Sequence, residues 1–252
     1  MNKPLISIVT VVYNNRALLE KTIQSVIKLR FRSFEYIVVD GNSTDGTIDV
    51  IKKYETVIST WISENDGGIY EAMNKAVGLT NGEWIFFLNA GDRFVDEDVL
   101  EKVSAYLMDN ENDVVYGDIL KQNKPGNLYV KKSTPPGDKH KMYFCHQSVF
   151  CRTEICRNMP FDEKYSLSAD FKFFKLAYLK GFRFKQIDLP ITIFDTSGAS
   201  NQNRIKGLLE NIRIINEINH FASKIRLLPR VYFVVFFAKI NRFLKLSILS
   251  KS

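Results

Sequence analysis

A chain of 252 residues with 45% hydrophobic residues is long enough to bury a core, and an α/β chain of this length often forms one domain. The net charge is +7, and from Asn201 to the end ten Lys or Arg stand against two acids, a balance of +8 that leaves −1 for the first 200 residues. A near-neutral body with a basic tail argues against a nucleic-acid-binding protein and indicates a local anionic partner for the tail.

Two further features bear on the compartment. The opening residues lack the apolar segment and small-residue cleavage site of a signal peptide, so we expect a cytoplasmic protein. The three cysteines, Cys145, Cys151 and Cys156, lack the CxxC spacing of a zinc or redox site and are interpreted as reduced packing thiols.

Strand-like and helix-like segments alternate along the first hundred residues. This alternation is typical of βαβ units and predicts an α/β fold with a mostly parallel sheet flanked by helices. In chain order the predicted elements are strand LISIVTVVY, helix NRALLEKTIQSVIKL, strand FEYIVVD, turn and helix GNSTDGTIDVIKKY, strand TVISTWISE, helix GIYEAMNKAVGLT and strand EWIFFLNAGD.

Ligands of such sheets bind beyond the carboxyl ends of the strands, near the point where the strand order reverses. We therefore expect one polar rim made of the residues that end the predicted strands. These residues are Tyr13, Asn14, Asp40, Glu64, Asp66, Asn89 and Asp92.

Three nucleotide-binding designs use a rim of this kind. A dinucleotide-binding turn needs GxGxxG after the first strand, where YNNRAL has no glycine, and a P-loop needs a Lys where GNSTDGT has Thr47. The third design places acidic residues at strand ends and neutralises a diphosphate with a divalent cation. The stretch FFLNAGDRF, with Asp92 directly after a buried strand, is compatible with this third design.

Several ordered motifs resemble family 2 glycosyltransferases with the GT-A fold, in particular bacterial enzymes that assemble surface polysaccharides. The motifs span roughly 200 residues and are SIVTVVYNN, EYIVVDGNSTDGT, ENDGGIYEAMNKAVGLTNGEWIFFLNAGD, CHQSVF and SADFKFF. The resemblance implies an inverting enzyme that moves a sugar from a nucleotide-sugar donor, a UDP-sugar in our expectation, to a saccharide acceptor, which we expect to be lipid-linked.

The resemblance also implies roles for individual residues. Asp170 corresponds to the general base, and Asp92 corresponds to the last acid of the segment that holds Mn²⁺ or Mg²⁺ against the diphosphate. The chain departs from many members at Asn89 and Gly91, which leaves Asp92 as the one charged ligand in this segment. A single carboxylate is sufficient for Mg²⁺ when phosphates and water complete the shell. The remaining expected nucleotide-sugar contacts are Thr10, Tyr13, Asp40, Asp66, Asn74 and Asn89.

Each of these assignments has a purely structural alternative. Asp92 suits an ordinary turn, Asp40 precedes good turn and helix-cap residues, and Asp170 suits the first turn of a helix. His146 and Gln147 are expected on the acceptor side, whereas the alternative for His146 is a buried histidine hydrogen-bonded between strands. The segment FDTSGAS (194–200) is either a loop that closes over substrate or a plain surface loop.

The C-terminal tail is predicted to be helical and basic. RIKGLLENIRIINEI has a packing face, and VYFVVFFAKINRFLKLSIL has an uncharged run of eight residues, too short to span a bilayer. Lys239, Arg242 and Lys245 recur opposite Phe236, Ile240, Phe243 and Leu244, which predicts a helix lying on an anionic membrane, at its cytoplasmic face. The alternative is a helix docked on the enzyme or on a second subunit.

We therefore predict a GT-A domain over 1–203, with a nucleotide-sugar half at about 1–105 and an acceptor half at about 106–203, followed by a basic helical tail at 204–252. Two other functions stay open. A nucleotidyltransferase also uses carboxylates and metal, but it is expected to have a Gly-rich loop after the first strand. A non-catalytic membrane-associated binding module with a decayed core would explain the missing acids at 89 and 91.

Overall fold

The fold is seen in a computed structural model that describes residues 3–124, 127–196 and 203–249, without the side chains of 123, 124 and 241–249. Its strands form one twisted sheet with helices on both faces. The strands are β1 (Ile6–Val12), β2 (Phe34–Asp40), β3 (Thr60–Ser63), β4 (Trp84–Phe87), β5 (Arg93–Phe94), β6 (Val114–Lys124), β7 (Asn127–Lys131), β8 (Val149–Arg152) and β9 (Phe184–Phe194). The helices are α1 (Arg16–Ile27), α2 (Thr47–Lys53), α3 (Ile69–Leu79), α4 (Val99–Leu107), α5 (Thr153–Asn158), α6 (Ala169–Leu179), α7 (Arg204–Ile218) and α8 (Phe221–Leu249), with a 3₁₀ turn at His146–Ser148.

The strand order is β3-β2-β1-β4-β8-β6-β9-β5, and β7 pairs with β6 at the side of this path. The first four strands are parallel. Strand β8 is antiparallel to both β4 and β6, and β6 runs parallel to β9. The predicted α/β architecture is confirmed. Because the order reverses around β1, the carboxyl ends of β1 and β4 lie at a crevice of the kind that binds ligands in open α/β sheets.

The central strands are apolar along their whole length because both of their faces are covered. All seven residues of β1 are buried. Ile8 packs with Leu19 and Ile23 of α1 in one core, whereas Val9 packs with Met73 of α3 in the other. The near-continuous apolar runs seen in the sequence are therefore the expected signature of a parallel sheet between two helical layers.

The tail consists of two helices that pack against the body. Helix α7 buries Ile212, Ile214 and Ile215, and α8 buries a stripe made of Leu227 and Val231 together with Val235. The tail segment singled out from the sequence starts at Val231, whereas α8 begins at Phe221 and runs through Pro229. A proline removes one helical hydrogen bond, and the burial of the residues on either side of it offsets that loss.

The described helices include none that is long and apolar enough to cross a membrane.

Candidate functional site

A cavity of about 560 Å³ opens at the carboxyl ends of β1 and β4. Its wall is completed by the start of α3, the 3₁₀ turn, the start of α6 and the ends of β7 and β9. Seven of the residues predicted from sequence line it: Tyr13, Asp66, Asn89, Asp92, His146, Gln147 and Asp170.

The turn after β4 is held in a specific shape. The Asp92 amide donates to the Asn89 carbonyl at 3.0 Å. Thr22 of α1 accepts from the Gly91 amide at 2.9 Å and donates through its hydroxyl to the Asp92 carbonyl at 2.8 Å. Gly91 has a φ of +105°, a left-handed conformation that glycine adopts without steric cost. The small residues in NAGD are therefore required by the turn that presents Asp92.

A second carboxylate approaches Asp92 at this turn. The Asp195 amide, directly after β9, donates to Asp92 Oδ1 at 2.8 Å. Asp195 Oδ2 lies 2.6 Å from the point that a Cβ atom at position 91 would occupy. The glycine at position 91 thus leaves room for the acid that follows β9.

Burial dominates the electrostatics of Asp92. The residue is 3% exposed, and among the described residues only the Asp195 amide donates a hydrogen bond to its side chain. Burial, together with the nearby negative charge of Asp195, raises the pKa of Asp92 to about 8. An anion in such a place is stabilised by a cation.

The oxygen atoms around this turn are suitable ligands for a hard cation. Besides the two carboxylates, Asn89 Oδ1 is buried and has no hydrogen-bond partner in the part of the chain that the structure describes. Hard divalent cations take carboxylate and amide oxygens. No group of three or more His, Cys, Asp or Glu side chains within residues 3–124, 127–196 and 203–249 is arranged to hold a metal by itself. A cation here would depend on Asp92, Asp195 and oxygens of the substrate and water.

Asp170 stands in the first turn of α6, on the cavity wall. Its Oδ1 accepts from the Tyr70 hydroxyl at 3.0 Å and from the Phe171 amide at 2.8 Å. Burial, and then the charge of Asp170, raise the pKa of Tyr70 well above its usual range, so this phenol remains a donor. No described residue donates to Asp170 Oδ2, which leaves one carboxylate oxygen for a ligand. Asp170 therefore lies both in the first turn of a helix and on the cavity wall, so the structural alternative does not exclude a role in the site.

The loop before Asp170 is anchored by Glu210, which lies on α7. The Glu210 carboxylate is 4% exposed and accepts from the Ser166 amide and hydroxyl at 3.2 and 3.0 Å and from the Leu167 amide at 2.9 Å. Ser166 and Leu167 both line the cavity. A residue of the predicted tail thus holds the segment that leads into Asp170.

His146 and Gln147 form the 3₁₀ turn on the β8 side of the cavity. The His146 ring packs on Phe87 with 5.5 Å between ring centroids, and neither of its nitrogens has a hydrogen-bond partner within the described residues. Burial lowers the pKa of His146 and thus favours the neutral ring. The alternative of a histidine hydrogen-bonded between strands does not match these contacts.

Tyr13 and Asp66 occupy the β1 and β3 side of the cavity. Tyr13 is 65% exposed, as a ring available for a flat ligand would be. Asp66 accepts from the Gly68 amide at 2.9 Å, and burial raises its pKa.

Three of the predicted site residues do not line the cavity. Thr10 is buried and donates to the Leu88 carbonyl at 2.7 Å. Asp40 is fully buried and accepts from the Ser43 amide at 2.9 Å, the Ser43 hydroxyl at 2.5 Å and the Ser63 hydroxyl at 2.7 Å. Asn74 bonds to the backbone of Phe161. The hydrogen bonds of all three are made to other parts of the protein and not to the cavity.

The structure adds residues that sequence reasoning missed. Asp195, Glu210, Lys121 and Lys131 are far from the motifs along the chain, and the pairing of β6 with β7 and β9 or the packing of α7 brings them to the site. Asp195 falls inside FDTSGAS, which the sequence marked as a loop near the site. Residues 197–200 of that loop lie outside the described residues.

Comparisons with known proteins agree with this geometry. A family model described as Glycosyl transferase family 2 matches residues 7–182. The chain is 30% identical over 185 residues to a PGL/p-HBAD biosynthesis glycosyltransferase of Mycobacterium bovis, with 69% of each chain covered. It is 36% identical over 110 residues to the putative teichuronic acid biosynthesis glycosyltransferase TuaG of Bacillus subtilis, with 42% of this chain and 43% of TuaG covered.

Solved structures show the same fold. TarS 1–349 of S. aureus in complex with UDP-GlcNAc superimposes with a TM-score of 0.68 at 20% identity, over 87% of this chain and 69% of that one. The mannosyltransferase PcManGT from Pyrobaculum calidifontis in complex with GDP-Man and Mn²⁺ superimposes with a TM-score of 0.67 at 16% identity, over 86% of this chain and 64% of that one.

Proposed function

The chain belongs to glycosyl transferase family 2 and is a glycosyltransferase with the GT-A fold, and from this premise we propose that it transfers a sugar, with inversion, from a UDP-sugar to a saccharide acceptor during cell-surface polysaccharide synthesis. The observation that carries the proposal is the shared cavity, where Tyr13 and Asp66 on one side meet Asp92 and Asp170. The choice of UDP is supported by the UDP-GlcNAc complex of TarS, and the polysaccharide assignment by the printed name of TuaG.

The nucleotide lies on the β1 and β3 side in this proposal. Tyr13 provides a ring face for the base and Asp66 a carboxylate for the nucleotide, while Thr10 and Asn74 act from behind the wall. Asp40 contacts the base or ribose only if Ser43 or Ser63 releases its carboxylate. Residues 1–105 then serve as the nucleotide-sugar half and 106–203 as the acceptor half, with the tail following.

A divalent cation, Mn²⁺ or Mg²⁺, would be held by Asp92 and Asp195, with Asn89 Oδ1 nearby. When bound there, the cation supplies Lewis-acid neutralisation of the charge that develops on the departing diphosphate. The buried and electrostatically unfavourable position of Asp92 supports this role, because a carboxylate with a pKa of about 8 is stabilised in its charged form by a cation.

Asp170 acts as the general base. Its free carboxylate oxygen takes the proton of the acceptor hydroxyl. At the same time the hydroxyl oxygen of the acceptor bonds to the anomeric carbon, and the bond from this carbon to the diphosphate breaks. A well-placed base contributes about 10² to 10⁴ in rate. Attack from the face opposite the leaving diphosphate inverts the anomeric carbon. His146 and Gln147 lie beside this position and contact the acceptor.

The test of the reaction is product analysis with UDP-glucose, UDP-GlcNAc and UDP-galactose in the presence of Mn²⁺. Even without an acceptor, we expect slow transfer to water, with release of UDP and a free sugar of inverted configuration, which NMR identifies. Release of a sugar 1-phosphate on addition of pyrophosphate would identify a nucleotidyltransferase instead. Absence of turnover with UDP-, GDP- and dTDP-sugars and added lipid extract would identify a non-catalytic module.

The acceptor is a lipid-linked saccharide, and the tail seats the enzyme on the cytoplasmic face of an anionic membrane. Helix α8 supports this because its side away from the buried stripe is apolar and exposed, and the tail is strongly basic. Each basic side chain at such a surface contributes about 1 kcal/mol to the free energy of membrane binding. The exposed apolar residues of α8 are Phe221, Ile225, Tyr232, Phe233, Phe236, Phe237 and Ile240, with exposures from 37% to 78%.

Liposome flotation tests the membrane proposal with the full-length chain. We expect binding to vesicles with anionic lipid, weaker binding to neutral vesicles, and loss of binding in a Phe233→Ser, Phe236→Ser double variant. Tyr106→Ser is the matched control, because Tyr106 is an exposed aromatic residue on α4. Equal flotation of the double variant and the wild type would refute the membrane proposal and would leave the reaction unaffected.

A further inference from the structure

The wall of the cavity formed by β6 and β7 carries two lysines. Lys121 on β6 and Lys131 on β7 both line the cavity, together with Ile119 of β6. In the register of these antiparallel strands Ile119 faces Lys131, and Lys121 is two residues further along the same face. The two lysines are therefore diagonal neighbours, a spacing at which long side chains interact.

Within the residues that the structure describes, these lysines have no acidic partner. Neither forms an ion pair with any described residue, whereas the next lysine, Lys132, pairs with Asp118 and Asp188. Successive residues of a strand point to opposite faces, and Asp118 and Asp188, the acids that pair with Lys132, do not line the cavity. Lys121 instead has its ammonium 5.2 Å from the centroid of the Phe194 ring.

An unneutralised pair of this kind is electrostatically unfavourable. Partial burial lowers the pKa of Lys121, and the charge of Lys131 lowers it further. An anion placed between them relieves both effects, since opposite charge favours the ammonium form. The geometry leaves room for it, because both side chains face a cavity large enough for a substrate.

We propose that Lys121 and Lys131 form an oxyanion subsite that binds a phosphate or carboxylate group carried by one of the two substrates. This inference rests on the proposed function, since it concerns the substrates of the same cavity. The group is either the diphosphate of the donor or an anionic group of the acceptor, and the position of the lysines in the predicted acceptor half makes the second source worth testing separately.

The test compares wild type with Lys121→Gln and Lys131→Gln, and uses Lys185→Gln as the matched control. Lys185 is an exposed lysine on β9 that does not line the cavity and has no ion pair with the described residues. Titration calorimetry measures the Kd of UDP and of uridine with Mn²⁺, and then the Kd of inorganic phosphate for the UDP-saturated protein.

Each result has a defined meaning. A rise of tenfold or more in the Kd of UDP in both cavity variants, with uridine unchanged, supports the subsite and assigns it to the donor diphosphate. An unchanged Kd of UDP with at least a tenfold loss of phosphate binding supports it and assigns it to the acceptor. Unchanged binding of both ligands in Lys121→Gln and Lys131→Gln overturns the inference.

Failure of the proposed function gives a different pattern. In that case the wild type binds no UDP, GDP or dTDP, and inorganic phosphate is titrated into the nucleotide-free protein. A phosphate affinity that depends on Lys121 and Lys131 but not on Lys185 still supports the subsite, and equal phosphate binding in all variants, or none in the wild type, overturns it.

Discussion

Two buried carboxylates near the carboxyl ends of parallel strands, Asp40 at the end of β2 and Asp92 after β4, are treated differently by the fold. Asp40 accepts three hydrogen bonds from Ser43 and Ser63. Asp92 accepts one, from the amide of Asp195, and lies beside a second acid. A buried carboxylate that accepts several hydrogen bonds from the protein mainly stabilises the structure. A buried carboxylate in a cavity that accepts few hydrogen bonds indicates a ligand.

Asp170 is the group whose removal has the largest expected effect on activity. We expect Asp170→Asn to lower kcat by about 10² to 10⁴, since the amide cannot take a proton from the acceptor hydroxyl. The Kd of the donor and the melting temperature should remain close to wild type. Steady-state kinetics and calorimetry measure both, and a kcat within threefold of wild type would remove Asp170 from the role of base.

Glu210 sharpens the comparison because its carboxylate, like that of Asp40, accepts three hydrogen bonds from the protein. Unlike those of Asp40, these bonds hold a segment that lines the cavity. In Glu210→Gln one of the partly buried donors of Ser166 and Leu167 loses its acceptor, which costs about 0.5–1.5 kcal/mol in the free energy of unfolding. We expect kcat to fall about tenfold at a temperature where the variant is folded, with the donor Kd unchanged.

Glu217→Gln is the control for this variant, because Glu217 is also on α7 but its partners do not line the cavity. It pairs with Lys172 and Lys164 and accepts a hydrogen bond from the Tyr165 hydroxyl. Glu217→Gln should lose stability and keep kcat. If both variants lose kcat equally, then Glu210 has no specific effect on the loop.

The carboxylate of Asp138 is expected to make the stability of the protein depend on pH. Its pKa is lowered, whereas that of Asp92 is raised. Burial raises the pKa of Asp138, but hydrogen bonds from Ser223 and Lys175 outweigh this effect and lower it to about 2. A lowered folded-state pKa contributes stability above the unfolded value near 4 that is lost as the pH falls toward 2. The contribution of Asp138 to the free energy of unfolding is about 2 kcal/mol.

Urea unfolding from pH 6 to pH 3 checks this expectation. The difference in the free energy of unfolding between wild type and Asp138→Asn should shrink as the pH falls below 4. A difference that stays constant over this range would show that Asp138 is not the titrating group.

Much of the fold was predictable because it depends on local patterns. The bounds of β2 and of α7 agree with the segments FEYIVVD and RIKGLLENIRIINEI. Apolar runs between turn residues specify such elements. The course of α8 through Pro229 was not predictable, since it depends on tertiary burial of the flanking residues.

The site was predictable only in part for a related reason. Motif positions indicated Asp92 and Asp170, which the structure brings to one cavity. Strand alternation and motif spacing could not indicate that Asp40 would be enclosed by serines, or that Asp195 would fill the space beside Gly91. Those facts depend on the pairing of distant strands and on side-chain packing.

The most direct test of the account is a thermal unfolding experiment with UDP-, GDP- and dTDP-sugars, each with and without Mn²⁺, on wild type, Asp92→Asn and Asp40→Asn. A ligand at about 100 times its Kd adds about 2.7 kcal/mol to the free energy of unfolding. We predict a shift for UDP-sugars that requires both Mn²⁺ and Asp92, and a lower melting temperature but a retained Mn²⁺-dependent shift in Asp40→Asn. Equal shifts in Asp92→Asn and wild type, or no shift with any donor, would contradict the account.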